Sequence, residues 1–585
     1  MSETTTSFSQ ELARDFADCG ITDAFLVTGG AISPLTTALA EQGRIRMHFM
    51  LTEQSAGIAA EAYGYVDLKP ALLIVTSGPG VTNAVTPVAA AWTNSSPVIV
   101  VSGQARSADV SLSYTSKSRQ IGNQHLRTDL LVSSIVKRFI ELEVPCATKK
   151  LVENLITDAT SGRPGPVWLS LPQDVQRGPA SLQDLAVNSY SDKPQLMSAD
   201  FHKLVKEYLS VSKSPAILVG AGARSAFPEI LRFAENFQIP ILTTWPAMDL
   251  IPEENPLFCG RPGSIPSSRL PNFVVTEADF LLILGVRLDL GQVGYNPEIF
   301  AQKANVVRVD IDSEEFSRIP KRKNWHNFCA HISDVILPLT RISMNSDSPN
   351  LNSWWEKIYE CKLSSPKPSD IPQNFADGVS SYQLISKMAE IFAEKTIVTG
   401  SSGTCIEMLL QSWEVQQNQR IINSCGLGSM GFALAASYGV AAKMNAKEIV
   451  CIESDGSLAM NLQDLSSLNS NGVIFKIIIM DSSGYKSILL SQNRSNQFEH
   501  GTREVTNLHL PDLSSIAQAI GFEVRHVNFE NEIQPHLSWL NSQETSSVLV
   551  VKVSSLEEAL PRLLSRPNRM GQMETPPMNE LWPTN

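Results

Sequence analysis

Residues 449–485 read IVCIESDGSLAMNLQDLSSLNSNGVIFKIIIMDSSGY, and this stretch decides the fold. An apolar, β-branched run ends at Glu453, and Ser454, Asp455, Gly456 and Ser457 then supply turn chemistry. A helical stretch follows, and a second apolar run ends at Met480 before Asp481, Ser482, Ser483 and Gly484. Two apolar runs joined through a helix predict a parallel βαβ unit, with both turns at the carboxyl edge of the sheet, where ligands bind. Gly456 and Ser457 are expected to open a helix whose free N–H groups suit a phosphate. Asp455 and the second turn offer hard oxygen ligands to a Mg²⁺ bridging that phosphate. A plain β-turn-α connection accounts for the same spacing, since such units are common.

The same rhythm runs outward along the chain. ALLIVTSG, SPVIVVSG, PAILVGAG, DFLLILGV and NVVRVDID alternate with Ala- and Leu-rich stretches such as GIAAEAYGY at 57–65, whose small residues suit close helix packing. This pattern predicts α/β domains with doubly wound parallel sheets. Residues 179–199 and 341–374 break the rhythm with Ser, Pro and Asp and read as linkers. They divide the chain into domains at 1–180, 195–342 and 373–560. A tail at 561–585 is either frayed or laid across another surface.

With 585 residues, 47 Lys+Arg against 59 Asp+Glu, and only 18% charged residues, the chain is too apolar for disorder and too acidic for a phosphate-backbone binder. Nucleic acid is not an expected partner. The eight cysteines contain no CxxC pair, which argues against zinc and against a disulfide scaffold. No basic start precedes an apolar core, and no apolar run reaches the roughly 18 residues of a membrane span. A reduced, cytoplasmic protein without a membrane partner is expected.

Together these residues resemble the thiamin-diphosphate (ThDP) enzymes that decarboxylate and ligate 2-oxo acids, particularly acetolactate synthase large subunits. That family's signature is GDG followed by two asparagines. Here Asp455, Gly456 and Gly484 are kept, Ser454 replaces the first glycine, and Asp481 and Ser482 replace the asparagines. The resemblance implies that Asp455, Ser482 and the Gly484 carbonyl hold Mg²⁺, with Asp481 or a water as the alternative to Ser482. It also assigns Glu53, in FMLTEQSAGIAAEAYGY, as the cofactor-activating carboxyl group. A carboxyl there hydrogen-bonds the pyrimidine N1′ and promotes loss of the thiazolium C2 proton.

Further segments follow in the family's order. VTGGAISPL resembles its glycine-rich turn and implies Gly29 and Gly30 beside the reaction centre, while TSGPGVTNAV and the strand ending at Gln104 match its next unit. RQIGNQH followed by Lys137 resembles the substrate-side segment, with Gln124 and Lys137 matching and Asn123 and His125 standing where Phe and Glu are usual. An apolar wall is therefore expected to have become polar. SCGLGSMGFALAASYG implies Gly428 near the 4′-amino group and Met430 as the wedge under a bent cofactor. Gly403 and Thr404 are implied on the diphosphate side, and Tyr485 leads a helix over the thiazolium. The GAGARS turn at 220–225 is weak as a nucleotide motif. The resemblance leaves FAD open at LGVRLDLGQVGYN, 284–296.

The resemblance implies a pyrimidine-binding N-terminal domain, a central domain and a diphosphate-binding C-terminal domain. A cofactor shared between subunits makes a homodimer, or a tetramer of such pairs, the working unit. The expected activity is decarboxylation of a 2-oxo acid, pyruvate first, and ligation to an acceptor carbonyl. The alternatives are two-carbon transfer to a nucleotide-linked keto-sugar, a ThDP-binding scaffold without turnover, and a dehydrogenase built on GAGARS. The tail suggests the acetolactate-synthase-like proteins of polysaccharide and deoxysugar clusters.

Overall fold

The computed structural model describes residues 6–181, 183, 198–264, 267–341, 350–371, 374–469 and 472–583. Three parallel sheets with helices on both faces carry the chain. The first has strands in the spatial order Arg46–Phe49, Asp23–Leu26, Ala71–Val75, Val98–Gln104, Val167–Pro172, Arg138–Glu141. The second orders Trp325–Cys329, Asn305–Asp310, Phe280–Leu284, Pro215–Val219 and Ile241–Thr243. The third orders Ile421–Ile422, Ile397–Thr399, Glu448–Ser454, Ile474–Asp481, Ser547–Lys552 and Glu523–Val527. The first and third sheets share one winding order. The expected α/β fold with three doubly wound parallel sheets is what the chain adopts.

In the third sheet the winding reverses between Ile397–Thr399 and Glu448–Ser454, which are adjacent strands. In sheets of this kind ligands bind outside the carboxyl ends of the strands at such a switch point, the crevice position. Asp455 begins the helical turn Asp455–Leu458 at that crevice.

The small-residue face at 57–65 lies on the helix Glu53–Asp67, which starts where the Thr52 side chain accepts the Ser55 N–H. That helix packs along the helix Phe432–Met444 of the third domain. A Cβ on Gly439 would fall 2.0 Å from the Ala59 carbonyl oxygen, so backbone meets backbone there. One buried apolar cluster consequently runs from Ala56, Ala59 and Leu73 into Ala435, Val440 and Ile477. Two sheets are thus joined by a helix seam rather than by a solvated gap.

Residues 184–197 of the first expected linker and 342–349 of the second lie outside the described residues. In the middle of the second expected linker, 341–374, a helix, Asn352–Leu363, packs Trp354 into the central domain, its indole N–H donating to the Pro215 carbonyl at 3.1 Å. The tail lies across the same domain. Leu563, Met578 and Leu581 join the core formed by Leu218, Leu281 and Ile283, and Asn272 Nδ2 donates to the Met578 carbonyl at 2.9 Å. Among the described residues no helix is long and apolar enough to cross a membrane.

Candidate active site

Asp455, Ser482 and Gly484 come together as expected. The Gly484 N–H donates to Asp455 Oδ2 at 2.8 Å, and Ser482 Oγ lies 3.3 Å from Asp455 Oδ1 and 3.1 Å from the Gly484 carbonyl oxygen. Asp455 is buried and has no cationic side chain bonded to it; burial first, and the nearby Asp481 carboxylate second, push it up to about 7. A desolvated carboxyl in that state gains its charge when a cation arrives. Among the described residues no three His, Cys, Asp or Glu side chains gather as a metal site. A cation here would therefore rest on one carboxylate, a hydroxyl and a carbonyl, with phosphate and water completing the shell, as Mg²⁺ commonly accepts. Asp481 faces elsewhere: it accepts the Ser483 N–H at 2.8 Å and pairs with Lys552 at 3.4 Å. The geometry favours Ser482 over Asp481 in this set.

Two more turns close around the crevice. Gly403, at φ +103°, caps the helix Thr404–Ser412, and a Cβ on it would lie 3.9 Å from Ser454 Oγ. The Thr404 N–H donates to Ser487 Oγ at 2.7 Å, which ties this turn to the helix after Tyr485. Gly428, at φ +72°, backs onto Ser401 and Ser402, and Ser401 Oγ bonds the Ser429 carbonyl. Met430 is half-buried, and Ser429 Oγ is buried with no partner, a polar atom left over for a ligand. The Tyr485 ring stands where a Cβ on Gly456 would be, 2.6 Å away, so only glycine fits beneath it. Gly456 and Ser457 lie in the helical turn Asp455–Leu458, and the Ser457 side chain has a further part: its Oγ accepts the Gly431 N–H at 2.8 Å and holds the 428–431 loop in place. These turns fit a diphosphate and its cation.

In the first domain, Glu53 occupies the first turn of the helix Glu53–Asp67. Asn83 Nδ2 donates to Glu53 Oε2 at 3.0 Å, and Oε1 lies beside Gly80. A Cβ on Gly29 would meet Thr76 at 2.3 Å, while one on Gly30 would meet nothing within 4 Å, so Gly30 faces open space. Gln124 adopts φ +55° and is exposed, packed over Gly78 so that the two Cβ positions are 3.0 Å apart. Asn123 is exposed beside it, but His125 is buried, so only Asn123 and Gln124 make that wall polar.

Lys137 is not brought to Gln124. It precedes the strand Arg138–Glu141, at the amino edge of the first sheet, and its Nζ donates to the Ser161 carbonyl at 2.5 Å. In a parallel sheet that edge is opposite the turns holding Gly29 and Gly78. Sequence distance to a motif could not reveal which edge a residue occupies.

Three buried carboxyl groups near the site escaped sequence reading. Glu453 accepts the Ala433 and Ser454 N–H groups, and burial pushes it up to about 7 against those bonds. Asp464 accepts from Ser55, and Glu61 accepts from Asn94 and Ser424; burial pushes each of them to about 7. The one usable signal was an acid inside an otherwise apolar run, as in VCIES and AAEAY.

The Asp455 set at a switch point of the third sheet, with the first and third domains joined through their helices, defines a three-domain thiamin-diphosphate enzyme. The chain belongs to the thiamine pyrophosphate enzyme family: its N-terminal TPP binding domain matches residues 6–126, its central domain 203–334 and its C-terminal TPP binding domain 402–551. Acetolactate synthase isozyme 1 large subunit of Escherichia coli K12 is 28% identical over 536 residues, covering 92% of either chain. The acetolactate synthase large subunit of Lactococcus lactis is 27% identical over 96% of this chain and 95% of its own, and acetolactate synthase 2 of Zea mays 27% over 95% and 87%. The chain is acetolactate-synthase-like along nearly its whole length.

Proposed function

We propose that this chain decarboxylates a 2-oxo acid, pyruvate first, and joins the two-carbon unit to an acceptor carbonyl, using ThDP and Mg²⁺. The observation that carries this is the Asp455, Ser482 and Gly484 set facing the turns at Gly403 and Gly428. Bound there, ThDP supplies the acidic carbon and the electron sink that decarboxylation needs. Asp455, Ser482 Oγ and the Gly484 carbonyl hold the cation. Thr404 and Ser487 bind on the diphosphate side, Met430 packs as an apolar wedge, and Tyr485 shields Gly456. Glu53 holds a proton at its carboxyl, with Asn83 occupying one oxygen. Gln124 and Asn123, both exposed, orient the acceptor. Lys137 has no step within its own chain.

Glu53 lies in the first domain and Asp455 in the third; the resemblance to acetolactate synthases, whose cofactor sits between these two domains of different subunits, supports a homodimer or a pair of dimers. The exposed Asn123, where the family shows Phe, supports an acceptor more polar than pyruvate, such as a keto-sugar. FAD in the central domain would lie along 284–296, where Thr575 of the tail already bonds the Tyr295 N–H at 2.8 Å; an absorption band in the visible region of the purified protein decides its presence. Purified protein given pyruvate, ThDP and Mg²⁺ should release CO₂. No CO₂ from any of several 2-oxo acids overturns the reading, and a chain that still binds ThDP would then be a scaffold. Mass spectrometry of products with and without added carbonyl acceptors separates acetolactate formation from transfer to another acceptor.

A further inference from the structure

Glu61 and Asn94 form an interdomain knot that none of the steps above uses. Asn94, at the carboxyl end of the helix Pro79–Asn94, donates through Nδ2 to Glu61 Oε1 at 2.7 Å and lies 2.5 Å from Ser424 Oγ. Ser424 Oγ donates to the same Glu61 oxygen at 2.8 Å. The Gly426 N–H donates to Asn94 Oδ1 at 3.0 Å. A Cβ on Gly426 would stand 2.5 Å from that Oδ1, so the contact requires glycine. Ser96 Oγ bonds the Glu61 backbone carbonyl at 2.6 Å, and Arg287 of the central domain bonds the Thr93 carbonyl at 2.8 Å. Three domains therefore meet at the end of one helix. The segment pinned there, 424–426, leads directly into Gly428 and Met430.

We propose that Glu61 and Asn94 are positioning residues that fix the 424–430 loop, and through it Gly428 and Met430, for cofactor binding. The proposal rests on the reading of that loop as cofactor-facing. Glu61 Oε2 is buried without a partner, and no cation bonds either oxygen. An uncharged group is what such surroundings tolerate, so glutamine should reproduce it. Asn94 is the irreplaceable member, because its amide donates to Glu61 and accepts from Gly426 at once.

Amide exchange of the 424–431 peptide in the full chain without ThDP tests this directly, since exchange reads local order. Loss of a two-sided amide contact should speed that exchange about tenfold in Asn94→Ala and Glu61→Ala, while Glu61→Gln stays close to wild type. ThDP titrated with Mg²⁺ by tryptophan fluorescence should bind about tenfold more weakly to Asn94→Ala, with kcat lowered and KM for pyruvate unchanged. A role in stability alone would lower Tm without that split. Unchanged exchange and unchanged ThDP affinity in Asn94→Ala overturn the proposal, as does Glu61→Gln failing alongside Glu61→Ala. Should Glu61→Ala not fold, Asn94→Ala, at a half-buried position, decides. Wild-type protein that binds no ThDP overturns the functional reading instead, and the exchange data still decide whether these residues order the loop.

Discussion

Ser55 Oγ donates to Asp464 Oδ2 at 2.8 Å, joining the helix that opens with Glu53 to the domain that carries Asp455. Ser55 lies two positions after Glu53, and Asp464 nine positions after Asp455. The candidate chemistry is thus spread over two domains whose relative position is set by buried polar bonds and by the Ala59–Gly439 contact.

Asp455→Asn should keep the fold and lose the cation. The amide oxygen still accepts the Gly484 N–H, and no cationic side chain is left unpaired. Calorimetric titration should show Mg²⁺-dependent ThDP binding weakened at least about 100-fold, the scale expected when a metal ligand or its support is removed. Equal binding in the variant would remove Asp455 from the site.

Glu53→Gln should leave ThDP binding and Tm near wild type while kcat falls by about 100-fold or more, the usual worth of a positioned proton-transfer group. Asn83 can still bond the new amide oxygen. Turnover within a few-fold of wild type would show that Glu53 does not hold the working proton.

Asp23 should govern part of the acid limb of stability. Burial alone would raise its carboxyl, but bonds from His48, Arg46, Thr22 and Tyr63 outweigh it and hold the group at about 2. A depressed carboxyl stabilises the folded chain above its unfolded value near 4, and that contribution is lost as pH falls towards about 2, worth about 2 kcal/mol in all. The Tm gap between wild type and Asp23→Asn, measured across pH, should be widest near neutrality and close as the pH drops. A constant gap would contradict the linkage.

Two glycines should separate packing from binding. Gly439→Ala drives a methyl group against the Ala59 carbonyl, and overpacking of this kind costs about 1–3 kcal/mol, visible as a lower Tm. Gly30→Ala meets nothing within the protein, so Tm should hold while ThDP affinity or turnover falls. The reverse pattern would place Gly30 away from the site.

Much of this was legible in the chain. The βα rhythm, the small-residue face at 57–65 and the turns at 455–457 and 481–484 are local signals, and each has a local physical cause: period, side-chain volume or turn chemistry. The choice between Ser482 and Asp481 was not, because adjacent side chains on a strand end point to opposite faces, and only the neighbouring Lys552 shows which way Asp481 turns. His125 was read with the polar wall yet is buried, and Lys137 was grouped with Gln124 yet lies at the other sheet edge.

By itself the sequence determined the three parallel sheets, the position of the ligand edge and the residue types offered there, since all of these follow from interactions among near neighbours. Only the tertiary structure decided which carboxyl groups are stripped of water, which of Asp481 and Ser482 turns toward Asp455, and that Glu61, Asn94 and Ser424 meet. Those outcomes depend on desolvation and on hydrogen bonds between residues hundreds of positions apart, and neither is written in any local stretch of the chain.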